Sequence, residues 1–258
     1  MPTLFSIDSL TPDQIATICD HTFLNRSEAY RSSAAQGQSP VRLRAEAFEA
    51  FLKGTLANRS RIPYAVCVRP EDVYSVKYFL RRNKCYNQVA IASVVGFPDG
   101  SLYDAGFKLA ETKLAISRGA REIDMVMNYA LLKAGNISYV REEVSIVAKF
   151  AQDHSALVKL ILETSELTPD QIKKACEIAD KSGVDFVKTS TGFSAYGARA
   201  EDLAIMREYF PRGIKISGGV CPENVRELLK AASGREEGCI ELNPFHIRIG
   251  ESSLLARL

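Results

Sequence analysis

Eight short apolar runs, each followed by a longer amphipathic stretch, constrain the fold of this chain more than any other feature. The runs fall at residues 18–22, 64–68, 89–95, 122–128, 157–164, 185–190, 213–217 and 246–249. Helical spacing of apolar residues fills 42–58, 71–83, 102–119, 138–154, 169–182, 200–210 and 222–232, and a last short helix is expected from about residue 251. Eight strand–helix repeats in 258 residues predict an α/β protein of the (β/α)8 TIM-barrel type rather than a doubly wound sheet. The strands are nearly continuous in apolar character, as required when helices cover the outside of a parallel barrel. No linker or shift in composition divides the chain, so one domain over 1–258 is expected. Its one irregular segment, "NRSEAYRSSAAQGQSP" at about 25–40, rises from the face where barrel enzymes keep their sites.

"TPDQI" occurs twice, at residues 11–15 and 168–172. Threonine at the N-cap, proline at the first helical position and glutamine at N3 form a capping box, so each copy marks a helix start rather than a repeat. Basic residues are scattered and the net charge is only +2, which gives no nucleic-acid surface. Six cysteines without a Cys-x-x-Cys, several inside apolar runs, suit reduced thiols in a cytoplasmic protein. Neither an export signal nor an apolar run long enough for a membrane is seen, so no membrane partner is expected.

Within this apolar frame three strands carry lysines: Lys159 in "LVKLILET", Lys188 in "DFVKTSTGF" and Lys215 in "GIKISGG". Strand side chains alternate between faces. Ile214 and Ile216 suit the helix-covered outside, which turns Gly213, Lys215 and Ser217 inward. Val158, Leu160 and Leu162 likewise oppose Lys159, and Ile123, Met125 and Met127 oppose Asp124 and Asn128. Strand six leaves its own choice open, with Phe186 and Lys188 on one face and Val187 and Thr189 on the other. The economical solution sends Asp124, Lys159, Lys188 and Lys215 inside from four consecutive strands. A buried structural ion cluster is the bland alternative, but such clusters rarely stabilise more than apolar packing of equal volume. The chemical reading is that a desolvated lysine beside a second ammonium releases its proton more readily, and the free amine attacks a carbonyl carbon to form an iminium ion. A carboxylate–ammonium pair can carry the accompanying protons. That chemistry needs no metal or other cofactor, and His21, His154 and His246 lack ligand-like spacing.

Gly218-Gly219 ends strand seven, and Gly250 precedes Ser252-Ser253 after strand eight. Barrels often bind phosphate with these two loops, since glycine lets backbone N–H groups approach an anion. A phosphorylated carbonyl compound is the substrate class implied.

Taken together, "GAREIDMVMN", "LVKLILET", "DFVKTSTGF", "IKISGGV" and "RIGESS", with "DHT" at 20–22, are similar to the 2-deoxyribose-5-phosphate aldolase family of class I aldolases. The likeness is weak before about residue 60 and then runs nearly to the end. The resemblance implies reversible cleavage of 2-deoxy-D-ribose 5-phosphate to acetaldehyde and D-glyceraldehyde 3-phosphate. It also implies Lys188 as the Schiff-base lysine, with Asp124 and Lys215 as proton donor and acceptor. Lys159 would adjust the charge around them, and Asp20 would line the same pocket. Thr191, Gly192, Gly218, Gly219, Gly250, Ser252 and Ser253 would hold the phosphate. Family members often self-associate, so a dimer or tetramer is expected. Two alternatives stay open: the same chemistry on another phosphorylated sugar, and a catalytically silent barrel that binds sugar phosphates. Glu251 stands where the family usually has a small residue, and as the start of the last helix it is expected to face solvent. Cys67 is expected near the mouth as a packed thiol. The chain stops at Leu258, without the longer tail ending in tyrosine of some members.

Overall fold

The computed structural model describes residues 3–35, 37–235 and 238–258. In chain order the strands are β1 (Leu4–Ser6), β2 (Cys19–Phe23), β3 (Ala65–Val68), β4 (Ala90–Val95), β5 (Glu122–Val126), β6 (Leu157–Ile161), β7 (Phe186–Lys188), β8 (Gly213–Ser217), β9 (Cys239–Glu241) and β10 (Ile247–Glu251). The helices are α1 (Pro12–Ala16), α2 (Pro40–Thr55), α3 (Val73–Arg82), α4 (Ala105–Arg118), α5 (Tyr129–Lys133), α6 (Ile137–Asp153), α7 (Pro169–Lys181), α8 (Ala200–Tyr209), α9 (Val225–Ser233) and α10 (Leu254–Arg257). Strands β2 to β8 and β10 pair in parallel and close into a barrel, the (β/α)8 architecture expected. No helix among the described residues is long and apolar enough to cross a membrane.

Period-2 alternation divides the apolar residues into two separate groups, as a closed sheet demands. Ile123, Met125, Met127, Val158, Leu160, Leu162, Ile214 and Ile216 pack outward under the helices. Cys67, Ala92, Val94, Val126 and Ile161 form a smaller group inside. Phe186 also faces in: a Cβ on Gly213 would lie 2.3 Å from its ring, so glycine makes room for it. Lys188 is two residues on and shares that face, which resolves the choice strand six left open.

Several expectations need correction. Asn128 lies beyond β5 and caps α5, its side chain accepting from the Leu131 N–H at 3.0 Å. The last helix starts at Leu254, not near 251, because β10 runs on through Glu251. The polar segment at 25–40 holds a 3-10 turn (Ser27–Tyr30), and α2 begins at Pro40. Gln36 lies outside the described residues. An additional two-stranded antiparallel sheet joins β1 to β9. Both copies of "TPDQI" do form capping boxes, opening α1 and α7.

Candidate functional site

The barrel interior carries seven charged side chains, all buried: Asp20, Glu122, Asp124, Lys159, Lys188, Lys215 and Arg248. Register explains the meeting. Asp124 lies opposite Lys159, Lys188 opposite Lys215, and Lys215 opposite Arg248 on neighbouring strands. Direct neighbours share a face, so Lys188 and Lys215 would repel each other without an anion between them. Asp124 supplies it. Its Oδ2 accepts from Lys188 Nζ at 2.9 Å and Lys215 Nζ at 2.8 Å, and its Oδ1 accepts from Lys159 Nζ at 2.9 Å. Lys215 also donates to Asp20 Oδ2 at 2.5 Å, and Lys159 to Glu122 Oε2 at 2.5 Å. Arg248 donates to Asp20 and, at 2.7 Å, to Glu122, with its guanidinium 3.8 Å from the centre of the Tyr64 ring.

Charge is the currency of this cluster. Burial alone would raise the Asp124 carboxyl, but Lys159, Lys188 and Lys215 outweigh it and hold it well below the usual carboxylate range. Burial is likewise overcome at Asp20, by Arg248, Lys215 and Lys159. Burial would pull Lys215 down, yet Asp124 and Asp20 push it above the ordinary lysine value, and Lys159 moves the same way. The sequence expectation of two bare ammonium groups crowding each other is therefore too simple, because a carboxylate oxygen stands between them. What distinguishes Lys188 is its single ion pair: Lys159 has three carboxylate partners, while Lys215 and Arg248 have two each.

Above the cluster, a cavity of about 820 Å³ opens at the carboxyl end of the strands. Of the three interior lysines, Lys188 alone lines it; Lys159 and Lys215 are completely buried beneath. Thr191, Gly192, Gly218, Gly219, Gly250, Ser252 and Ser253 line the same cavity, so all seven residues expected at the phosphate end come together. Glycine is required where it is found. Gly218 and Gly219 have φ of 88° and 68°, and a Cβ on Gly250 would lie 3.0 Å from Ser217 and 3.1 Å from the Lys215 side chain.

Cys67 is not at the mouth. It is buried in the barrel with Sγ 3.8 Å from Asp124 Oδ2, and burial together with Asp124 pushes its thiol up to about 11. Glu251 does not face solvent. It is buried in the cavity wall, with His21 Nδ1 2.6 Å from its Oε1.

Sequence reasoning missed Glu122, Arg248 and Glu163. Arg248 sits between Ile247 and Ile249 as Lys215 sits between Ile214 and Ile216, so the signal was the same. Glu163 follows β6 in a left-handed conformation (φ 57°) and accepts from the Thr191 backbone N–H at 3.1 Å and its hydroxyl at 2.5 Å. It thereby fixes the loop after β7. Among the described residues no three His, Cys, Asp or Glu side chains converge to hold a metal ion.

Fold and site define a barrel enzyme with its open end at the carboxyl termini of the strands. The DeoC/LacD family aldolase model matches residues 17–256, and the chain belongs to that family of aldolases, which are lyases. A deoxyribose-phosphate aldolase of Thermococcus kodakarensis is 42% identical over 175 residues, 67% of this chain and 77% of the relative. One of Caldicellulosiruptor saccharolyticus is 37% identical over 231 residues, 88% of this chain and 94% of the relative. The crystal structure of a candidate deoxyribose-phosphate aldolase from Coccidioides immitis superposes with a TM-score of 0.74 at 31% identity, over 95% of this chain and 84% of its own.

Proposed function

We propose that this aldolase reversibly cleaves 2-deoxy-D-ribose 5-phosphate to acetaldehyde and D-glyceraldehyde 3-phosphate through a Schiff base on Lys188. The observation that carries the reading is that Lys188, held by one carboxylate oxygen, is the interior lysine at the cavity surface. The neutral amine of Lys188, facing the cavity, is the nucleophile.

That amine adds to C1 of the open-chain sugar, and the carbinolamine loses water to become an iminium ion. The C2–C3 electron pair then moves into the iminium as the C3 hydroxyl gives up its proton, releasing glyceraldehyde 3-phosphate and leaving an enamine. Protonation at C2 and hydrolysis free acetaldehyde and restore Lys188. Asp124 and Lys215, joined at 2.8 Å and touching the Lys188 nitrogen through one oxygen, would carry these protons. Lys159 and Asp20 would hold Asp124 and Lys215 in charge and position. The loops at Thr191-Gly192, Gly218-Gly219 and Gly250 to Ser253 would bind the phosphate through backbone N–H groups and hydroxyls. The relatives' names support this substrate for the present chain.

Borohydride reduction in the presence of 2-deoxyribose 5-phosphate tests it. A two-carbon or sugar-phosphate adduct mapped by mass spectrometry to Lys188, and absent in Lys188→Arg, is expected. Unmodified protein, or an adduct on another lysine, would refute the assignment.

A further inference from the structure

Among the described residues that line the cavity, Glu251 is the only acid, and it immediately precedes Ser252-Ser253. A carboxylate in the wall of a pocket that receives a dianion opposes binding, so its environment decides what enters. That environment is built. Parallel pairing of β10 with β2 sets Glu251 directly opposite His21. The side chain of Glu251 is fully buried, and His21 Nδ1 lies 2.6 Å from Oε1, the short range of charge-assisted hydrogen bonds. Phe51 of α2 stacks on the imidazole at 4.5 Å between centroids and 17° between planes, which holds the ring in place. Among the described residues, the other oxygen, Oε2, accepts only a long 3.4 Å contact from the Leu255 N–H. Arg257, the remaining cation of the rim, is engaged with Glu223 at 3.1 Å and leaves Glu251 to His21.

We propose that His21 masks the charge of Glu251 and that this pair sets how strongly the cavity favours a phosphate-bearing substrate. When both ring nitrogens of His21 carry a proton, the pair is neutral and the glycine–serine loops dominate. Without the imidazole, an uncompensated carboxylate adjoins the anion. The inference rests on the reading that these loops hold phosphate.

Four proteins test it: wild type, His21→Asn, Glu251→Gln and the double variant. Asparagine can offer an N–H near the place of Nδ1 but carries no charge, so it separates hydrogen bonding from masking. Binding of inorganic phosphate is measured by 31P NMR titration at fixed pH and ionic strength. His21→Asn is expected to weaken binding by at least about tenfold, the scale of one charge several ångströms away at an effective permittivity near 20. Glu251→Gln should bind phosphate at least as well as wild type, and the double variant should return to within about threefold of it, because the charge to be masked is gone. Wild-type binding in His21→Asn overturns the proposal. So does equal weakening in His21→Asn and Glu251→Gln, which is the mark of a merely structural pair, and so does a wild type that traps substrate on Lys188 yet binds no phosphate. Absence of the Lys188 adduct with the phosphate series intact would instead overturn the aldolase reading and leave this one standing.

Discussion

Arg248→Met puts the buried network to its hardest test. Arg248 is wholly buried and donates to both Asp20 and Glu122, and among the described residues it is the only guanidinium that does so. Methionine fills part of the volume and leaves two carboxylates with less positive charge. Breaking a buried ion pair from one side costs about 3–5 kcal/mol, because a charge stays behind in low dielectric. For a chain of this size each kcal/mol moves Tm by about 2–4 °C, so a drop of about 6–20 °C is expected. The sign of the pH dependence follows from Asp20. In the wild type the neighbouring cations overcome burial and hold its carboxyl low, so its contribution to stability is present above the unfolded carboxylate range and is lost only as pH falls through that depressed value. Without Arg248 burial is opposed less, the carboxyl rises, and protonation at higher pH relieves part of the penalty. The gap between the two proteins should therefore be widest near pH 7.5 and narrow toward pH 5. Urea unfolding followed by circular dichroism at both values gives the comparison. A difference below about 1 kcal/mol at pH 7.5, or one that does not change with pH, refutes the account of the cluster.

Lys215→Leu should lower turnover by at least about 10² while far-UV circular dichroism stays that of a barrel, since it removes a group proposed to carry protons beside Lys188; wild-type kcat would contradict that role. Gly197→Ala should raise KM for the phosphorylated substrate with a smaller effect on kcat, because the new Cβ would lie 2.1 Å from the Gly218 carbonyl oxygen and must displace the glycine loop. Steady-state kinetics decide it. Iodoacetamide at pH 8 should spare Cys67, whose thiol is buried and pushed up to about 11, and label the half-buried Cys221 and Cys239 first, as peptide mass mapping can show.

The barrel was legible because its signal is local and repeated: each strand declares its outer face by alternation, and each "TPDQI" carries its own cap. Lys159, Lys188, Lys215 and Asp124 were legible for the same reason, each being a charge where packing would favour an apolar residue. Arg248 offers that signal too, between Ile247 and Ile249, but in a run of four residues that is too short to declare its inner face. Glu122 reads as an ordinary strand start until β6 and β10 bring it two cations. His21 and Glu251 are 230 residues apart and meet only through strand register, which one sequence does not display. The pairing of β1 with β9 was hidden likewise, three residues at each end being too short to show a period.

Asp20 and Arg248, 228 residues apart, belong to β2 and β10. A ribosome must therefore reach residue 248 before Asp20 can meet the last of its three cations, after Lys159 and Lys215. Until then Asp20 has every reason to remain hydrated, and the staves of the barrel cannot draw shut around it. Closure is thus expected to wait for β10, and a chain cut before Ile247 should be an early client of chaperones and proteases rather than a slightly weakened enzyme.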